Sequence, residues 1–184
     1  MAKLTKKILH LGCGMNKKPG SFGIDINPKS KADYIHDLNK FPYPFHSNYF
    51  DMVIADNILE HLDDIPKVLL EINRICKDKA RLLVTTGHFS SLDSFTDPTH
   101  KHFFTTRTFD YFIEGTDLSK FQYSKHLFKK IKVILGPVNS KNFISKIVLA
   151  FINRHQILYE KRFAFIFPVG TIYFELEIVK KWKK

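Results

Sequence analysis

The spacing of apolar residues changes several times along the chain, and each change predicts an element. Residues 6–11, KKILHL, form a short apolar run stopped by Gly12 and read as a strand. FGIDI at 22–26 and DYIHDL at 33–38 read as two more, separated by the turn-forming NPKSK. FPYPFHSNYF, with two prolines and a Ser-Asn pair, is a loop. DMVIAD at 51–56 is a β-branched run ending in polar residues, the pattern of a strand buried on both faces of a parallel sheet. In DDIPKVLLEINRIC the period becomes helical, with Val68, Leu69, Ile72, Ile75 and Cys76 on one stripe. Pro66 fits the first turn behind Asp63 or Asp64 as cap. KDKA is the exit turn, and RLLVTTG at 81–87 is a further buried strand.

Beyond residue 87 the pattern loosens. HFSSLDSFTDPTHKHFF, 88–104, is a polar and aromatic loop too long to be a mere connection. TRTFDYFIEG reads as a short helix stopped at Gly115, HLFKKIKVIL at 126–135 as a strand, and NFISKIVLAFINRH at 142–155 as a helix. GTIYFELEIVKK sets Ile172, Phe174, Leu176 and Ile178 against Thr171, Tyr173, Glu175 and Glu177, a half-buried strand. The expected fold is a single α/β Rossmann-like domain over 1–184: a mostly parallel seven-stranded sheet closed by a late hairpin with an antiparallel last strand. Its unusual feature lies between the first two strands. In LHLGCGMNKKPGSFGIDI, Asp25 follows Gly12 by thirteen positions, with Pro19 and Gly20 between them, so the first helix is shortened or absent.

Composition narrows the setting. The chain has 184 residues, 44% apolar and 14% aromatic, enough for one well-formed core. Cys13 and Cys76 lie far apart with no metal-like spacing, which suggests a reducing, cytoplasmic setting. No export signal is expected from the N-terminal run KILHLGCG, which is short and broken by glycines, and FAFIFPVGTIYF at 163–174 is too short to span a membrane. The formal charge of +11 is uneven: residues 1–110 carry 15 basic against 13 acidic side chains, and residues 111–184 carry 14 against 5. Such an excess suits either an anionic partner or a solubilising surface.

Ligands of open α/β sheets sit beyond the carboxyl ends of the strands. Those ends carry Gly12-Cys13-Gly14, Asp25, Asp37 and Asp56-Asn57. Glycines let backbone N–H groups approach a ligand, and carboxylates on neighbouring strands can accept ribose hydroxyls and an exocyclic amine. In this order LHLGCG, GIDI, HDL and FDMVIADNILEHLDD resemble the successive motifs of the class I S-adenosylmethionine-dependent methyltransferases, nearest to a small branch in which LGCGxNKxPG runs into the acidic strand. The resemblance covers residues 8 to about 112, and FELEIVKK is similar to the family's last strand. It implies S-adenosyl-L-methionine as cofactor and S-adenosylhomocysteine as product. Residues 1–87 would bind the cofactor, and 88–184 would supply a substrate-covering loop and a basic C-terminal part.

The resemblance further implies roles. Gly12, Cys13 and Gly14 would lie along the methionine and ribose, Asp25 followed by Ile26 would hold the ribose, Asp37 and Leu38 would meet adenine, and Asp56 with Asn57 would line the methyl end. Asn16, Lys17 and Lys18 occupy the place of the missing helix, where a lysine can pair with the cofactor's carboxylate. Asp25 has a competing use as the cap of the NPKS turn. Among His88, His100 and His102 of the long loop, His100 and His88 are the candidate general bases. Glu60 and His61 invite a metal or base reading, but the sequence places no third ligand beside them, so no metal is assigned. The acceptor is expected to be a small molecule or glycan-like compound methylated on O or N. Two alternatives stand beside it: an RNA methyltransferase using the basic segment, and a non-catalytic cofactor-binding protein. A nicotinamide site is disfavoured, because a pyrophosphate needs the helix N-terminus that this chain lacks.

Overall fold

The computed structural model describes residues 6–121, 127–137 and 143–180. The outer residues of the expected strand 126–135, helix 142–155 and strand 170–181 lie outside them. Seven strands form one sheet in the order β3-β2-β1-β4-β5-β7-β6. They are β1 (Ile8–Leu11), β2 (Ser21–Asp25), β3 (Tyr34–Ile35), β4 (Phe50–Asp56), β5 (Cys76–Gly87), β6 (Phe128–Leu135) and β7 (Thr171–Ile178). β1 to β5 pair in parallel, and β7 inserts antiparallel between β5 and β6. The expected seven-stranded α/β sheet with its late antiparallel pair is therefore present, but β6 and β7 are joined through a helical segment and not by a hairpin turn.

α1 (Ile65–Ile75) follows β4 as the hydrophobic stripe requires. Asp64 caps it, its carboxylate accepting the Lys67 N–H at 3.0 Å, and Pro66 sits in the first turn. Val68, Leu69, Ile72 and Ile75 are fully buried in one cluster with Leu9, Leu11, Val53, Ala55, Leu82 and Val84. Glu71 is held between Arg74 and the Tyr43 N–H, which anchors the preceding loop to the helix. Burial works against its ionisation, yet those two partners keep its carboxyl below the ordinary value.

Some details differ from expectation. The turn KDKA is absorbed into β5, which begins at Cys76 directly after α1 and carries Lys79 at φ +63°. The short helix expected in TRTFDYFIEG is present as a 3-10 helix over Thr108–Phe112. A single helical turn, α2 (Asp93–Thr96), lies within the long loop, and an unforeseen helix, α4 (Gln156–Arg162), follows α3 (Phe143–Arg154). β4 is also not buried on both faces: Val53 and Ala55 face the core, whereas Met52 and Ile54 on the other face are half-buried. That face continues across β5 and β7 as an ion ladder, with Arg81 3.7 Å from Glu175 and 3.2 Å from Glu177. Residues 12–20 contain no helix to cover it.

Candidate active site

The strand order reverses between β1 and β4, and the crevice at such a reversal is where open sheets hold ligands. On one side stands the turn after β1. Gly12 and Gly14 both adopt left-handed backbone, at φ +57° and +47°. A Cβ on Gly12 would lie 2.4 Å from Ile58 Cγ1, so the residue after Asn57 packs directly on the turn and joins the two strand ends. Gly14 faces open space. Cys13 is buried, and burial followed by the Asp25 charge raises its thiol pKa, which makes it a packing residue and not a nucleophile.

Asp25, at the end of β2, accepts the Gly14 N–H at 2.7 Å on one oxygen and the Asn27 N–H at 2.8 Å on the other. It therefore caps its own turn and also ties β2 to the glycine turn. Each carboxylate oxygen keeps a second lone pair for a ligand hydroxyl. Ile26 beside it is 64% exposed, an apolar surface open to solvent. Asp37 lies two residues past β3 and accepts the Asn39 N–H, while Leu38 is buried and its carbonyl accepts the Tyr43 hydroxyl.

The two lysines in place of the missing helix separate cleanly. Lys18 Nζ lies 2.8 Å from Asp56 Oδ2 and spans the crevice from the glycine turn to the end of β4. Its backbone N–H donates to His10 Nδ1 at 3.2 Å; burial lowers the His10 pKa, so a neutral ring accepts. Lys17 turns away, crosses over Gly23 and pairs with Asp33 at 2.8 Å. That pair, together with the Gly23 N–H, holds the Asp33 carboxyl below its usual value. Lys17 was expected at the cofactor, and its commitment to Asp33 corrects that expectation.

A second correction concerns His88. It follows β5 as expected but is fully buried, with Nδ1 2.8 Å from the Ser90 hydroxyl and Nε2 3.3 Å from Glu160 on α4. Glu160 also accepts the Thr106 N–H and hydroxyl. With both nitrogens engaged and no exposure, His88 ties the long loop to α4 and cannot serve as a base in the cleft. No sequence signal linked Glu160 to it, since 72 positions separate the two.

His100 stands differently. Lys101 N–H donates to the Glu60 carbonyl at 2.7 Å and His102 Nε2 lies 2.8 Å from the Leu62 carbonyl, which docks the loop on the 3-10 turn Leu59–His61. His100 thereby meets His61, with ring centroids 4.7 Å apart. The two line a cleft of about 720 Å³ with Asn57, Glu60, Gly87 and Asp97, a volume suited to a small-molecule ligand.

Residues 20–84, from the end of the glycine turn through most of β5, match the family profile described as a methyltransferase domain. That match covers 65 of the 184 residues, about a third of the chain. A crystal structure of a SAM-dependent methyltransferase from Archaeoglobus fulgidus superposes over 95% of this chain and 87% of its own, with TM-score 0.63 and 20% identity. The [4+2]-cyclase SpnF aligns with TM-score 0.58 and 14% identity over 96% of this chain and 76% of its own. At these identities the likeness is one of fold, and a shared fold is not bound to one reaction. An uncharacterised protein of Methanocaldococcus jannaschii is 45% identical over 49 residues, 27% of this chain and about a fifth (21%) of that relative's length. Among the described residues of the chain no helix is long and apolar enough to cross a membrane.

Proposed function

We propose that the chain transfers a methyl group from S-adenosylmethionine to an oxygen or nitrogen of a small-molecule or glycan-like acceptor. The observation that carries this reading is the juxtaposition at the strand reversal. A glycine turn buttressed by Asp25 and an ion pair between Lys18 and Asp56 stand on the cofactor side, and a cleft of small-molecule size adjoins Asn57.

The residues present fit the cofactor. The Asp25 oxygens retain capacity for both ribose hydroxyls, Ile26 offers an apolar surface for adenine, and Asp37 keeps one oxygen for its amine. Lys18 and Asp56 are complementary to a zwitterion: the ammonium of the methionine end suits Asp56 and its carboxylate suits Lys18. The cofactor when bound supplies an activated methyl on a sulfonium. In the transfer the bond from acceptor to methyl forms as the carbon–sulfur bond breaks, and the electron pair stays on sulfur. The acceptor's proton must leave, and His100, facing the cleft, is placed to take it. The chain's further contribution is to orient the acceptor and exclude water. The buried, unpaired Cys13 and Cys76 support a reducing cytoplasmic setting.

Thermal melting with S-adenosylhomocysteine, followed by a screen of metabolites for its release from S-adenosylmethionine, tests this reading. A rise in Tm and turnover with a hydroxyl or amine compound are expected. An unchanged melting curve at millimolar S-adenosylhomocysteine overturns the cofactor assignment.

A further inference from the structure

Glu60, His61 and His100 each bring one donor atom into a cluster whose members lie within 4.8 Å of one another. The two rings are held so that a lone pair on each stays free. His100 Nδ1 lies 3.0 Å from the Ser94 carbonyl, which can only accept, so this nitrogen carries the proton and Nε2 keeps its lone pair. His61 Nδ1 lies 2.9 Å from the Thr99 hydroxyl, whose own hydrogen is committed to Asp97 at 2.7 Å. The hydroxyl must therefore accept from His61 Nδ1, which leaves His61 Nε2 free as well. Orienting an imidazole by a hydrogen bond at its far nitrogen is the usual support for a metal-binding histidine.

Glu60 supplies an independent observation. It is 3% exposed and its Oε2 is buried with no hydrogen-bond partner. A carboxylate in that position is costly unless a cation meets it, and among the described residues no lysine or arginine forms a salt bridge with Glu60. Asp97 adds a nearby anion, with Oδ2 4.0 Å from His100 Nε2.

We propose that Glu60, His61 and His100 bind one divalent transition-metal ion at the acceptor side of the cleft. Two imidazoles and one carboxylate favour zinc, cobalt, manganese or iron(II) over magnesium or calcium, which prefer oxygen donors. At bond lengths of about 2.0 to 2.2 Å the three donors must draw in from their present separations, a movement that side-chain rotation allows. Three protein ligands leave positions open for water or an acceptor oxygen. The proposal rests on the methyltransferase reading and refines it. A bound ion would lower the pKa of a ligated acceptor hydroxyl, whose proton would pass to solvent water and no longer to His100, and the acceptor class narrows to compounds whose oxygen can ligate a metal.

The test is a titration of the chelator-treated full chain with Co²⁺, read by visible absorption. One equivalent is expected to bind with saturable d–d bands, and Mn²⁺ or Zn²⁺ to compete. His100→Ala and, separately, the near-isosteric Glu60→Gln are expected to weaken binding at least tenfold, with far-UV circular dichroism unchanged. Absence of a saturable one-to-one spectrum overturns the proposal, as does binding that survives both substitutions. The melting shift with S-adenosylhomocysteine is measured on the same metal-free protein. If that shift persists without a cobalt site, the metal inference alone fails; if cobalt binds without the shift, the cofactor reading alone fails.

Discussion

Asp25 has two candidate roles, capping its own turn and holding the cofactor's ribose, and Asp25→Ala separates them. Removing the carboxylate deprives the Gly14 and Asn27 N–H groups of their acceptors at 2.7 and 2.8 Å. Hydrogen bonds to a charged group contribute about 1.5–3 kcal/mol each. Asn27 is exposed and Gly14 partly so, hence water replaces much of the loss. A net destabilisation of about 2–3 kcal/mol follows, which for a chain of this length lowers Tm by roughly 4–12 °C. S-adenosylhomocysteine at one hundred times its Kd adds about 2.7 kcal/mol to the parent, a rise of roughly 5–11 °C. In the variant this second effect is expected to fall close to zero. Differential scanning calorimetry with and without ligand reads both quantities. A lowered basal Tm with an undiminished ligand shift would mean that Asp25 only caps its turn and that the ribose is held elsewhere.

The other substitutions follow the same geometry. Lys18→Ala should weaken S-adenosylhomocysteine about tenfold by isothermal titration, whereas Lys17→Ala, which breaks only the partly exposed pair with Asp33, should leave affinity within twofold and cost about 0–1 kcal/mol. Gly12→Ala combines φ +57° with a Cβ 2.4 Å from Ile58 Cγ1, and should reduce both Tm and ligand affinity. Adding Ile58→Ala should recover the steric part and leave the backbone part. For Glu160, burial works against ionisation, but hydrogen bonds from His88 and Thr106 hold its carboxyl below the ordinary value of 4.5. Such a depressed group stabilises the fold above its unfolded pKa. The stability advantage of the parent over Glu160→Gln, measured by urea unfolding, should be level from pH 7 to about 5 and shrink as pH falls further.

Legibility in the sequence tracked how local the cause was. α1 was plain because a cap, a first-turn proline and a five-residue stripe all sit within fourteen positions. The strand ends were plain because apolar runs stop abruptly at Gly12, Asp25 and Asp56. The division of labour between Lys17 and Lys18 was hidden, since it depends on Asp33, just before β3, and Asp56, at the end of β4, arriving from distant parts of the chain. His88 was misread for a related reason: a histidine just past a strand in a long loop suggests function, and only α4, unforeseen itself, brings Glu160 to bury it. The Glu60–His61 pair was visible, but its third member comes from a residue 39 positions later. The Ser94 and Thr99 contacts that set the ring tautomers carry no sequence signature.

The absent first helix connects these features. In a dinucleotide-binding fold that helix covers one face of the sheet and offers its positive N-terminus to a phosphate. Here residues 12–20 cross the gap as a loop, His10 closes beneath them by accepting the Lys18 N–H, and the rest of the face is finished by Arg81 and its glutamates. A helix N-terminus presents about half a positive charge spread over several N–H groups. Lys18 presents a whole charge at one movable point, already balanced by Asp56 when no ligand is bound. A pyrophosphate would have to displace that balance, carrying more negative charge than one lysine can answer. An amino-acid zwitterion needs only that the pair separate, with one end meeting Lys18 and the other Asp56. The trimmed connection thus favours a ligand that is neutral at this end.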